Sequence, residues 1–212
     1  ALQNSFRYLM SKAPRIGKRV MSAYVNLLSA YPDQPYGHEP IRNPFESESV
    51  LVAPKDIGNA DDLQPKDEVL LDLIDRKIRA GERVIIFTAW VRLDTQERLH
   101  KLLTEKGVKA AILDQAVPTV QREEWVDKRV REGVKVLITN PSLVETGLDL
   151  NAFTTLVFYN IAFNLYVFRQ ASRRSWRINQ TAPKVEIYML YYADTMQHKA
   201  LRLMASKLAG AT

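Results

Sequence analysis

Four arginines crowd into a short stretch at Arg169, Arg173, Arg174 and Arg177, bracketed by Gln170 and Gln180 with no carboxylate among them. A guanidinium is planar, permanently charged and forked, which suits it to phosphate oxygens better than any other side chain. Such a cluster is either a solvated basic face or a grip on a polyphosphate or a nucleic-acid backbone. Arg174 and Arg177 stand three apart, so a helix running through both would put them on one face. Gln170, four residues before Arg174, would share that surface. Other chemistries find no support. His38, His100 and His198 lack metal-like spacing, cysteine is absent, and no Gly-x-Ser-x-Gly elbow or Gly-x-Gly-x-x-Gly turn occurs. No metal site is expected.

Further polar residues gather where short apolar runs end. Val84–Phe87 runs into Thr88, Ala89 and Trp90, and the next run into Asp114. A third ends at Thr139 and Asn140, ahead of Gly147 and Asp149, and a fourth at Asn160. These runs read as buried strands, and helical periodicity lies between them. The pattern predicts helices at 66–80, 92–106 and 118–132, one that follows the fourth strand and runs through Arg174, and one from Asp194 to about Leu208. Strands are predicted at 84–87, 108–113, 134–139, 154–159 and 185–192. Gly81, Gly107 and Gly133 are expected to close the first three helices. Alternating units with fully apolar strands imply a parallel sheet with helices on both faces. Ligands are then expected at the carboxyl ends of the strands. Trp90 and Trp176 suit either stacking on a base or packing, and packing is expected for Trp125.

Upstream the texture differs. Residues 1–30 read as a helical segment carrying Arg7, Lys12, Arg15, Lys18 and Arg19 and no acid, which supplies most of the net charge of +6. Residues 31–64, with Pro65 at their border, read as an irregular proline-rich connector, and residues 65–212 as the α/β domain. Hydrophobic content of 46% and charged content of 25% are those of a soluble globular chain. No apolar run is long enough to span a membrane, so no membrane partner is expected. Residues 1–7 lack the long apolar core of a signal peptide, and the chain, opening on Ala1, is expected to be a fragment of an intracellular protein.

Four motifs, in order over residues 63–208, resemble the C-terminal motor lobe of the superfamily-two helicases, within them the Swi/Snf-type DNA translocases. They are Val84-Ile85-Ile86-Phe87-Thr88, Gln121-Arg122, Val136-Leu137-Ile138-Thr139 with Gly147-Leu148-Asp149-Leu150, and Gln170-Ala171-Ser172-Arg173-Arg174-Ser175-Trp176-Arg177-Ile178-Asn179-Gln180. Trp176 and Asn179 stand where the family has histidine and glycine, and Asp149 is more typical of DEAD-box relatives.

The resemblance implies a RecA-like fold in which Arg174 and Arg177 act as arginine fingers on ATP. Gly147, Asp149 and Gln170 would lie at the nucleotide, and Thr88, Gln121, Arg122, Thr139 and Asn140 along a DNA backbone. Gly17-Lys18-Arg19 lacks the rest of a phosphate-binding loop, and Asp67-Glu68 opens a helix instead of ending a strand. ATP and Mg2+ are therefore expected to be held mainly by an N-terminal RecA-like lobe of the parent, with none bound by this fragment alone. The implied partners are that lobe and DNA, duplex by preference, in a nucleoid or nucleus. Two alternatives stay open: a non-catalytic binding module on this fold, and a DEAD-box-like RNA helicase lobe.

Overall fold

The computed structural model describes residues 2–90, 93–144, 148–161, 165–173, 175 and 183–209, without the side chains of residues 47, 165, 167, 208 and 209. The chain forms two compact units, residues 1–62 with 194–196, and residues 63–193 with 197–212.

In the first unit, α1 (Leu2–Lys12) and α2 (Pro14–Ala30) are separate helices. The single helical segment expected over 1–30 is broken because Pro14 disfavours helical backbone at Ala13, whose φ/ψ is −147°/84°. The connector also proves more regular than its prolines suggest. Ile41–Asn43 (β1) and Glu46–Val52 (β2) pair antiparallel around Pro44-Phe45. Asn43 Oδ1 accepts from Phe45 N at 3.1 Å, a local turn bond. Phe6, Leu9 and Val20 form a small core with Tyr24, Ile41 and Leu51. The irregular remainder is tied down by Ile57 N donating to Pro35 O and Gly37 N to Asp56 Oδ1.

The second unit is α3 (Pro65–Arg79), β3 (Val84–Phe87), α4 (Thr95–Glu105), β4 (Ala110–Leu113), α5 (Arg122–Arg131), β5 (Val136–Thr139), β6 (Thr155–Phe158), α6 (Leu165–Arg173), β7 (Glu186–Met189) and α7 (Met196–Ala209). The strands form one all-parallel sheet in the order β4-β5-β3-β6-β7. Alternate strand residues feed two cores. Val84, Ile86, Val136, Ile138 and Val157 pack with Leu70, Leu73 and Ile74 of α3 and with Leu99 and Leu103 of α4. Ile85, Phe87, Leu137, Leu156 and Phe158 pack with Val126 of α5 and Phe168 and Ala171 of α6.

Handedness explains which helix takes which face. The chain moves from β3 outward to β4 through α4, then back through α5 and on past β3. Right-handed crossovers in opposite directions must use opposite faces. The β5–β6 connection obeys the same rule, placing Leu143, Val144, Leu148, Leu150 and Phe153 in the α5 core. This is the expected doubly wound, RecA-like α/β arrangement.

Each expected glycine stop is present. At Gly107, φ is 75°, and Val108 N turns back to Leu103 O at 2.9 Å. Gly81 and Gly133 repeat the device. It also shortens the strands, because the amides of Val108 and Val134 are spent closing helices. One helix start differs: after Pro118, Thr119–Gln121 makes a tight 3-10 turn before α5 begins at Arg122.

Candidate nucleotide and nucleic-acid interface

The carboxyl edge of the sheet is built by side chains that bind neighbouring strands. Thr88 N donates to Thr139 O at 3.0 Å, and the Thr88 hydroxyl accepts from Gln96 Nε2 at 2.9 Å. The Thr139 hydroxyl donates to Leu113 O at 2.8 Å. Both threonines are 0% exposed. Their hydroxyls, expected along a nucleic-acid backbone, turn inward in this arrangement: that of Thr139 ties β5 to β4, and that of Thr88 ties the end of β3 to α4. Asn160, buried at the end of β6, accepts from Ala89 N at 2.9 Å and bridges to the end of β3.

Next to this edge the structure gathers Gln121, Arg122 and Asn140. Asn140 Oδ1 accepts from Ser142 N at 2.9 Å and from Ser142 Oγ at 2.6 Å, opening a 3-10 turn at Pro141–Val144. Arg122 Nη1 donates to Leu143 O in that turn at 3.0 Å, and its Nε to Val117 O at 3.2 Å. Arg122 thus clamps the turn, while Gln121 beside it is exposed. The same turn packs against α6, which carries Gln170 half-buried. Asp149, half-buried between Leu148 and Leu150, accepts from Asn151 N at 3.0 Å and Asn151 Nδ2 at 3.1 Å. Its carboxylate thereby caps an Asx turn.

Gly147, Arg174 and Arg177 lie outside the described residues. α6 is described as far as Arg173 and Ser175 lies in a bend, so the expected alignment of Arg174 with Arg177 also falls outside the described residues. Arg169 and Arg173 are exposed. Trp125 packs on the core with Arg129 over its ring at 4.9 Å. Trp90 is half-buried with its indole nitrogen buried, which favours packing. Beneath the edge, a cavity of about 30 Å³ bordered by Phe87, Ala89 and Phe158 is far too small for a nucleotide. Among the described residues no three His, Asp or Glu side chains converge as a cation site.

Sequence reasoning missed a second polar layer. Asp67, set aside above as part of a helix start, is fully buried at the third position of α3. It takes a bidentate bond from Arg98 at 2.7 and 3.0 Å and one from the Tyr159 hydroxyl at 2.8 Å, and it accepts from Gln64 N at 2.9 Å. Lys66, 4% exposed, donates to Tyr159 O, Leu190 O and Gln197 Oε1 at 3.0–3.1 Å. Together they lock the start of α3 and α7 to the ends of β6 and β7. Gln64-Pro65-x-Asp67 carries a capping-box signal. Its partners, 31 to 131 residues away in sequence, carry none.

A third polar group lies where β3, β6 and β7 begin. Lys77 bridges Glu82 and Glu186, and Glu82 also accepts from Thr154 and Thr155. Burial alone would lower the Lys77 pKa, but the Glu186 and Glu82 carboxylates outweigh it and hold the amine above its usual range. Burial opposes ionisation of Glu82 too, yet bonds from Thr155 and Lys77 hold it below the usual carboxylate range. Bonds from Lys77 and Lys184 do the same for Glu186.

Residues 65–179 match the model of the helicase conserved C-terminal domain, just over half of the chain. Among curated relatives, ATP-dependent helicase fft1 of Schizosaccharomyces pombe is 26% identical over 63% of this chain and 14% of its own length. ATP-dependent DNA helicase DDM1 of Arabidopsis thaliana is 27% identical over 68% of this chain and 19% of its own. The chain thus spans less than a fifth of these relatives. The crystal structure of the C-terminal part of the Fun30 ATPase domain superposes with a TM-score of 0.61 at 23% identity, covering 66% of this chain and 45% of that one, a likeness of fold. With its motif order, its sheet and this match in agreement, the chain belongs to the helicase conserved C-terminal domain family, as a second RecA-like lobe of the superfamily-two, Swi/Snf-related type.

Proposed function

We propose that this chain is the C-terminal motor lobe of an ATP-dependent DNA translocase or helicase. In this reading an N-terminal lobe of the parent cradles ATP and Mg2+. This lobe adds Arg174 and Arg177 to the developing charge on the γ-phosphoryl group. Gly147, Asp149 and Gln170 approach the same nucleotide, and Gln121 with Asn140 offers amide contacts to a DNA backbone. Arg122 holds the turn that presents Asn140. The observation that carries the reading is the family match over 65–179 combined with an edge that gathers Gln121, Arg122 and Asn140 beside α6. The parent would work where its DNA is, in nucleus or nucleoid.

The test is ATP hydrolysis by the parent with duplex DNA, single-stranded DNA and RNA added in turn. The proposal expects duplex DNA to stimulate most. Stimulation by RNA alone would reassign the lobe to the DEAD-box-like reading that Asp149 suggests. No stimulation by any of the three would leave a binding module.

A further inference from the structure

We propose that the first unit carries its own nucleic-acid docking surface, the outward ridge of α2. At 3.6 residues per turn, Arg15, Lys18, Arg19, Ser22 and Asn26 fall within an arc of about 100°. All five are exposed. The ridge is about 16 Å long at 1.5 Å per residue. The opposite face of α2, with Val20 and Tyr24, packs on Phe6 and Leu9 of α1 and on the hairpin residues Ile41 and Leu51. The ridge is therefore the side of α2 that its own unit leaves open.

The charges are not there for the helix. Arg15 sits in the first turn of α2 and Lys18 just beyond it, and cations at this end of a helix meet the positive end of its dipole and cost stability. The first turn holds no acidic residue to relieve them. No ion pair among the described residues engages Arg15, Lys18 or Arg19. Residues 1–30 contain no carboxylate at all. An acid-free row of guanidinium, ammonium, hydroxyl and amide groups is the set that contacts phosphates without reading bases. A membrane surface fits less well, because the apolar face such a helix would insert is already packed inside the unit. The choice of DNA as the polyanion rests on the motor reading above; the ridge itself is on a different unit from the lobe.

The experiment is binding of the full chain to fluorescently labelled duplex DNA of arbitrary sequence across a salt series. Two triple variants are compared, R15Q/K18Q/R19Q and R15K/K18R/R19K. Each lost phosphate contact flattens the log–log salt slope by about 0.9, so the neutral variant should flatten it by about 2 to 3 and bind roughly tenfold or more weakly at low salt. The charge-keeping variant should retain the wild-type slope. Neutralisation removes cations from a helix start, so it should leave α2 as stable or slightly more so; helicity and the unfolding midpoint check this. An unchanged slope in the neutral variant overturns the proposal, as does equal loss in both variants. Tighter capture by phosphatidylserine vesicles than by duplex would also overturn it. The motor reading fails by a separate readout, the lack of DNA-stimulated hydrolysis in the parent, which leaves the slope comparison standing.

Discussion

At the scale of single residues, the buried pair Asp67–Arg98 is the most exacting feature of the lobe. Asp67 is 0% exposed and receives four bonds, so removing one partner strands a charge. Arg98→Ala should cost about 3–5 kcal/mol. Arg98→Ala combined with Asp67→Leu should recover part of that, because no lone charge remains. Urea unfolding of the four members of this cycle measures it, and a single-variant loss below about 1 kcal/mol would show the pair to be dispensable. The strand-end positions of Thr88, Thr139 and Asn140 were legible from the sequence. What their side chains do was not, because it depends on distant partners such as Gln96 and Leu113 O that no local pattern announces. Likewise Asp67 reads locally as a helix-start acid, and only the fold brings Arg98 and Tyr159 to it.

At the scale of elements, α3, α4 and α5 and the strands they feed follow directly from apolar period and glycine stops. The hairpin β1–β2 did not, although Asn43-Pro44 signals its turn, because β1 is only three residues long and proline density masked it. The α1–α2 break shows the same local effect, Pro14 acting on Ala13. Gly17 fixes how closely these helices meet. A Cβ there would lie 2.9 Å from the Met10 backbone nitrogen and 2.8 Å from its sulfur. Gly17→Ala should therefore destabilise the first unit despite alanine's better helix propensity, by about 1–3 kcal/mol as overpacking. Faster hydrogen exchange at Leu9 and Val20 amides, with the lobe unaffected, is the expected readout; unchanged protection would contradict the packing.

The Lys77 cluster makes the lobe's stability depend on pH. Glu82 and Glu186 are depressed in the fold. Their contribution is present above the unfolded carboxylate range near about 4.3 and lost as pH falls through the lower folded values. Lys77 is raised, so its contribution holds below about 10.4 and goes as pH rises through the folded value. Glu82→Gln should lower the urea midpoint at neutral pH and flatten its fall on acidification. An acid limb as steep as the wild type's would remove Glu82 from the account.

At the scale of the whole molecule, the proposed function makes this chain half of a catalytic device. The arginines belong to this lobe, while a phosphate-binding loop is expected in another. The purified chain should accordingly hydrolyse ATP no faster than its R174A/R177A variant. The central claim is tested most directly by steady-state, DNA-stimulated ATP turnover in the parent carrying R174A, R177A or R173A. Arginine fingers are worth about 10³–10⁵ in rate, so R174A and R177A should each lower turnover by at least on the order of 10². ATP affinity should change little, because the contacts form in the transition state. Arg173, exposed at the end of α6, should be close to neutral. Equal and mild losses at all three positions would make the cluster a diffuse basic face and contradict the motor assignment.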